Sequence, residues 1–212
     1  MSTETTEAKE YRTKQPSSRK GRFTGPKPPI QPRHVWAIRT QLQLAGGVRD
    51  LALFYIAIDS KLRGCDVVNL KFEDVALNGH TLDRATVRQR KTGRPVKFEI
   101  TEQSRQAIDD YIDETGRKPG EYLFNGRNGK HTPITTRQYA RLLSHWITAI
   151  GFDPTNYGTH SLRRTKATLI YRRTGNLSAV QLLRGHTKVE SVVRYLCVEI
   201  DDALEVAEKI DV

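Results

Sequence analysis

The chain has 212 residues, with 35 lysines and arginines against 24 aspartates and glutamates, for a formal charge of +11. That length fits one ordinary domain, or one domain with a tail, and can bury a core without disulfide or metal staples. Two cysteines, Cys65 and Cys197, are too few for a four-ligand zinc site, and no apolar run approaches the roughly 20 residues of a membrane helix. With no signal-peptide pattern, the expectation is a soluble protein of the reducing cytoplasm with no membrane partner. A sequence pI of about 9.8 makes a polyanion such as nucleic acid a natural partner, although basic charge also serves solubility.

Residues 1–31 are rich in Ser, Thr, Lys, Arg and Pro and nearly free of large apolar side chains, the composition of a disordered tail. The second half of this segment is a basic arm that includes Arg19, Lys20 and Arg22, suited to lying along DNA phosphates or simply to solvation. From Pro32 to Leu44 the pattern predicts a helix closed by Gly46-Gly47. A second helix, with a strongly apolar face, runs from Arg49 to Leu62, and Asp66 to Leu70 makes a short helical turn. Phe72 to Val75 reads as a strand. Ala85–Arg90 and Arg94–Ile100 alternate with period two around Lys91-Thr92-Gly93, which predicts a β-hairpin with a tight basic turn.

Thr101 is expected to cap a helix running to Thr115. Leu123 to Thr132 reads as a loop. Its Gly129-Lys130-His131-Thr132 is not a nucleotide-binding loop, because Phe124 stands near where the leading glycine would be needed. Thr136 should cap a helix through Ile150, and another begins at Thr159 or Ser161 and reaches Arg173. Leu177–Leu183, Lys188–Leu196 and Asp201–Lys209 complete the series. The expected fold class is mainly α with a small antiparallel β-sheet.

The chemistry concentrates late in the chain. His160-Ser161-Leu162-Arg163 puts an imidazole and a guanidinium three positions apart, on one helical face. Gly185-His186 follows a helix end, and Tyr195 comes soon after. Cations and imidazoles around a phenol suit attack on a phosphodiester. A phenol of pKa near 10 is only about one part in a thousand ionised at pH 7, roughly 4 kcal/mol short of full ionisation. Positive neighbours and a base can supply that deficit.

From Pro32 to the C-terminus the sequence resembles the catalytic domain of the tyrosine recombinase/integrase family. The matching motifs are Leu62-Arg63-Gly64-Cys65-Asp66-Val67-Val68-Asn69-Leu70, Lys91-Thr92-Gly93, His160-Ser161-Leu162-Arg163, and Leu183-Arg184-Gly185-His186 with Tyr195 beyond. The resemblance implies the tyrosine recombinase catalytic fold over 32–212 and strand exchange without metal, ATP or cofactor. Tyr195 would attack the scissile phosphate, leaving a 3′-phosphotyrosyl link and a free 5′-hydroxyl. Arg63 and Arg163 would grip the non-bridging oxygens. Lys91 would protonate the leaving 5′-oxygen, His160 would exchange a proton with Tyr195, and His186 would hydrogen-bond the phosphate. Arg90, Arg94, Arg164 and Arg184 join Arg19, Lys20 and Arg22 as expected DNA contacts, although Arg164, beside Arg163, reads more readily as a structural or backbone contact and Arg184 could merely be exposed.

Each of these residues also has a plain reading. Arg63 could be a cation at a helix C-terminus, Lys91 a hairpin charge, His160 or His186 a capping residue, and Tyr195 a packed tyrosine with a wet hydroxyl. Their joint occurrence in family order favours catalysis. Two positions depart from the family pattern: Asp66 stands where a glutamate more often supports the first arginine, and Arg184 precedes Gly185 where a small or apolar residue is commoner. Family members also usually carry a helical core-binding domain ahead of the catalytic one, whereas only the arm precedes it here, as in the short recombinases that invert fimbrial promoters.

The expected partners are therefore double-stranded DNA, further protomers in a tetrameric synapse at the nucleoid, and accessory DNA-bending proteins. The tail over 199–212 would dock on a neighbouring protomer or pack on its own core. The competing function is a DNA-binding accessory or regulatory protein of the same fold without recombinase activity. A topoisomerase of related chemistry is a third reading.

Overall fold

The computed structural model describes residues 27–127 and 129–184. Helix α1 spans Pro32–Leu44, with the proline in its first turn, where a missing N–H costs nothing. Helix α2, Val48–Ser60, is buried almost all round (Ala52 to Ala57 without a break), so it is the central rod of the core rather than an amphipathic cover. It ends on Lys61, whose φ of +53° reverses the chain. Two short helices follow, α3 (Gly64–Val67) and α4 (Phe72–Val75).

Strands β1 (Ala76–Leu77) and β2 (His80–Thr81) form one small antiparallel ribbon, and β3 (Arg84–Arg88) and β4 (Pro95–Glu99) form a second. In the β3–β4 register, Ala85 faces Phe98 and Val87 faces Val96. These four side chains are buried while their neighbours alternate outward, as period-two patterning requires. Helix α5 (Glu102–Thr115) packs along α2. A third ribbon, β5 (Asn125–Gly126) with β6 (Gly129–Pro133), leads into α6 (Thr136–Ala149). A single 3-10 turn at Pro154–Asn156 precedes α7 (Thr159–Thr174), which packs on α2, and α8 (Leu177–Arg184) follows.

The core joins α1, α2, α5, α6 and the β3–β4 ribbon. Phe54 meets Trp146 edge-on at 5.7 Å between ring centres, and the Trp146 indole Nε1 donates to Asp50 Oδ2 at 3.0 Å. Tyr111 stacks on Phe124 at 5.6 Å. Among the described residues, no helix is long and apolar enough to cross a membrane.

The mainly helical architecture with antiparallel ribbons agrees with the sequence, but three details differ. Phe72–Val75, expected as a strand, is helical: Phe72 and Val75, one turn apart, share the buried side, and Asp74 Oδ2 accepts from the Lys71 N–H at 2.9 Å. The 123–132 stretch, expected as a loop, carries most of the β5–β6 ribbon, so among the described residues the small β content is three two-stranded sheets rather than one. The cap of α6 is Thr135 rather than Thr136: Thr135 Oγ1 accepts from the Gln138 N–H at 3.1 Å, and Gln138 Oε1 accepts from the Thr135 N–H at 2.8 Å. This reciprocal capping box fixes the helix start one residue earlier. The helices expected over 188–196 and 201–209, and the arm over 1–26, lie outside the described residues.

Candidate functional site

The site grows from the chain reversal after α2. The left-handed Lys61 turns the backbone so that Arg63 becomes the extended N-cap of α3, with φ −69° and ψ 151°. Gly64, the next residue, lies tight against α7. A Cβ built on it would stand 3.3 Å from Thr159 Oγ1 and 3.5 Å from the Tyr139 ring. The missing side chain lets α3 sit close to the start of α7 without pushing on Thr159. That approach sets Arg63 beside the turn carrying His160, which is exposed at the helix rim.

Arg163, three residues further along α7, is buried. Its Nε donates to the Lys61 carbonyl at 2.8 Å. Both arginines are thus tied to one four-residue connection, Arg63 by belonging to it and Arg163 by bonding to its first residue. This is how residues 100 positions apart in the chain come to meet at one connection. Behind Arg163, Lys166 Nζ pairs with Asp59 Oδ1 at 2.6 Å. Asp59 Oδ2 accepts from the Thr101 N–H at 2.9 Å, the Thr101 hydroxyl at 2.8 Å and the Ser104 hydroxyl at 2.6 Å. Burial alone would raise the Asp59 pKa, but Lys166 and these donors outweigh it and hold the carboxyl below its ordinary value. This cluster locks the end of α2 and the start of α5 to the middle of α7.

Lys91 lies at the exposed tip of the β3–β4 turn, where Gly93 adopts φ +65°. The turn is fastened once to the arginine connection and once to α3. Arg63 Nη1 donates to Gln89 Oε1 at 2.6 Å, and the Arg90 N–H donates to Asp66 Oδ1 at 2.9 Å. Asp66, expected from the resemblance to support the first arginine, therefore takes the hairpin backbone instead, and Gln89 holds Arg63. Tyr139 is a second phenol close to the connection. Its complete burial pushes its pKa up, which keeps it neutral and unsuited to nucleophilic attack.

Arg90 and Arg94 are exposed beside Lys91, as DNA contacts must be. Arg164 takes the structural of its two expected tasks rather than the DNA contact. It is buried, and its Nη1 donates to the Lys27 carbonyl at 2.6 Å. With the Ile30 N–H donating to Thr165 Oγ1 at 3.1 Å, it anchors the lead-in segment on α7. His186, Tyr195, Arg19, Lys20 and Arg22, the side chain of Arg184 and the 199–212 tail lie outside the described residues. Reading the sequence misses Gln89, Lys61, Asp59 and Lys166. Gln89 precedes the hairpin turn and Lys61 precedes Arg63, but nothing local marks a buried polar partner, since each bond closes across distant segments.

Two guanidiniums at one connection, an ammonium on an adjacent turn and an imidazole at the rim form an arrangement for gripping a phosphate and moving protons around it. Comparison with known proteins places the chain in a family. The model of the phage integrase family matches residues 33–200. A probable integrase/recombinase, YoeC of Bacillus subtilis, is 31% identical over 153 residues, covering 72% of this chain and 80% of its own. The tyrosine recombinase XerC of Neisseria meningitidis serogroup C is 31% identical over 189 residues, covering 82% of this chain and 59% of its own. The crystal structure of the XerH site-specific recombinase bound to a palindromic difH substrate, a post-cleavage complex, superposes with a TM-score of 0.68. That match has 17% sequence identity and covers 85% of this chain and 52% of XerH, so it speaks to fold.

Proposed function

The chain belongs to the phage integrase family of tyrosine recombinases, and from that premise we propose that it is a site-specific DNA recombinase working through Tyr195. The chain spans 59% of the length of its XerC relative. The observation that carries the proposal is the Lys61–Gly64 connection, which bears Arg63 and accepts the Arg163 Nε–H at 2.8 Å. Guanidiniums stay charged at any working pH and offer paired donors that match phosphate oxygens. A neutral pocket would not need two of them converging on one loop.

In the proposed reaction the Tyr195 oxygen attacks the scissile phosphorus and its proton passes to His160. The P–O5′ bond breaks, Lys91 gives a proton to the leaving 5′-oxygen, and a 3′-phosphotyrosyl ester remains. Arg63, Arg163 and His186 hold the charge that builds on the phosphate. In the return step a 5′-hydroxyl attacks the ester and releases the tyrosine. The link retains the phosphodiester, so the exchange needs no external energy source. We extend the proposal to a basic arm over 1–31 ahead of a catalytic domain over 32–212. Protomers would assemble on duplex DNA as a tetrameric synapse at the nucleoid, with accessory DNA-bending proteins.

The test is a duplex nicked just beyond the cleavage site, so that a short leaving fragment diffuses away. The proposal predicts an SDS-resistant protein–DNA adduct, formed in chelator, that is absent in Tyr195→Phe. Binding without an adduct would assign the chain to an accessory DNA-binding role instead.

A further inference from the structure

Gln89 has no role in the reaction as written, yet it sits where two of its components meet. It is 3% exposed at the foot of the β3–β4 turn. Its Oε1 accepts from Arg63 Nη1 at 2.6 Å and from Thr92 Oγ1 at 2.9 Å. Its backbone closes the turn, with the N–H donating to the Arg94 carbonyl at 2.9 Å and the carbonyl accepting from the Gly93 N–H at 2.8 Å. The amide orientation is fixed by chemistry: a flipped amide would aim its own N–H bonds at a guanidinium that can only donate. Its Nε2 is buried and has no partner among the described residues, so the amide is held entirely through its oxygen.

We propose that Gln89 is a positioning residue, which fixes the plane of the Arg63 guanidinium and ties it to the turn that carries Lys91. A guanidinium gives two parallel bonds to a phosphate only in one plane. One amide oxygen shared between Arg63 and Thr92 makes that plane depend on the turn being folded. The phosphate grip and the proton donor on Lys91 would then be assembled together. The inference rests on the recombinase reading for its consequence, but its physical core is the Gln89–Arg63 bond itself.

The bond is read first without DNA, from the side-chain nitrogen NMR signals of Arg63 in the full chain. Slow rotation with resolved Nη signals is expected in the wild type, and averaged signals in Gln89→Leu. Identical Arg63 signals in both proteins would overturn the proposal. Cleavage is read next, in single turnover, on a nicked duplex selected from random-sequence DNA by binding to the protein. Gln89→Leu should cut about ten- to hundredfold more slowly with DNA affinity unchanged. The deficit should largely vanish when the scissile phosphate is replaced by a neutral methylphosphonate, which has one anionic oxygen fewer for Arg63 to hold. An equal deficit on both substrates would make Gln89 a merely structural residue and overturn the proposal. Gln89→Asn, which keeps the amide but withdraws it by one methylene, is read the same way should the leucine variant lose its fold. A wild type that cuts no duplex would remove the recombinase reading, and the NMR comparison would still decide the role of Gln89.

Discussion

Lys61 carries two costs in one position. It is a non-glycine residue at φ +53°, where Cβ crowds the following carbonyl, and its ammonium is buried, donating to the Asp59 carbonyl at 2.9 Å. Burial, aided by the nearby Lys166 charge, brings its pKa down from 10.5 to about 8 against the opposing pull of Asp59 and Glu99. Such costs persist where the local geometry is needed elsewhere, and here the Lys61 carbonyl is the acceptor for Arg163. The pH consequence has a definite sign. Between about pH 8 and 10.5 the unfolded chain holds the lysine proton and the folded chain has lost it, so the contribution of this group to stability rises with pH. Measured by denaturant unfolding, the wild type should therefore gain on Lys61→Met across that window, by at most about 1.4 kcal/mol per pH unit. A difference that does not change with pH would mean that the ammonium is hydrated in the folded protein.

The approach of α3 to α7 is the contact on which the site depends, and Gly64 permits it. A β-branched side chain there must displace Thr159 or the Tyr139 ring, which lie only 3.3 and 3.5 Å from where its Cβ would stand. Gly64→Val should cost about 1–3 kcal/mol in thermal unfolding, the usual range for overpacking, and an unchanged midpoint would refute the close approach. Motifs with local spacing are readable at this scale: His160 and Arg163 share a helix because three residues make nearly one turn, and Lys91-Thr92-Gly93 announces a turn between alternating runs. Phe72–Val75 misleads because four residues with two apolar ends satisfy strand and helix equally, and the deciding bond from Lys71 to Asp74 is a capping contact. Asp66 is misread for a related reason: its place beside Arg63 suggests support of that arginine, whereas it bonds the Arg90 N–H. Arg164 reads as a structural contact or a DNA contact, and its bond to Lys27 is of the structural kind. The pairing of Gln89 with Arg63 is invisible in the sequence because a glutamine beside a turn carries no mark of its distant partner.

The whole chain is strongly basic, at +11, and its lead-in is pinned to α7 through Ile30 and Arg164. Removing residues 1–26 leaves those anchors in place. That truncation should weaken DNA binding and flatten its salt dependence by about 0.9 in logarithmic slope for each phosphate no longer neutralised. An unchanged slope in a binding titration over salt would show that the arm touches no phosphate. Catalysis should be far less affected than affinity, because Arg63, Lys91, His160 and Arg163 all lie beyond the cut. The proposed recombinase activity rests on one covalent bond, and mass spectrometry of the trapped protein–DNA adduct would read that bond directly. After nuclease and protease digestion, the predicted product is the peptide containing Tyr195 carrying a nucleotide through its 3′-phosphate. A nucleotide on any other residue, or one joined through its 5′-phosphate, would contradict it.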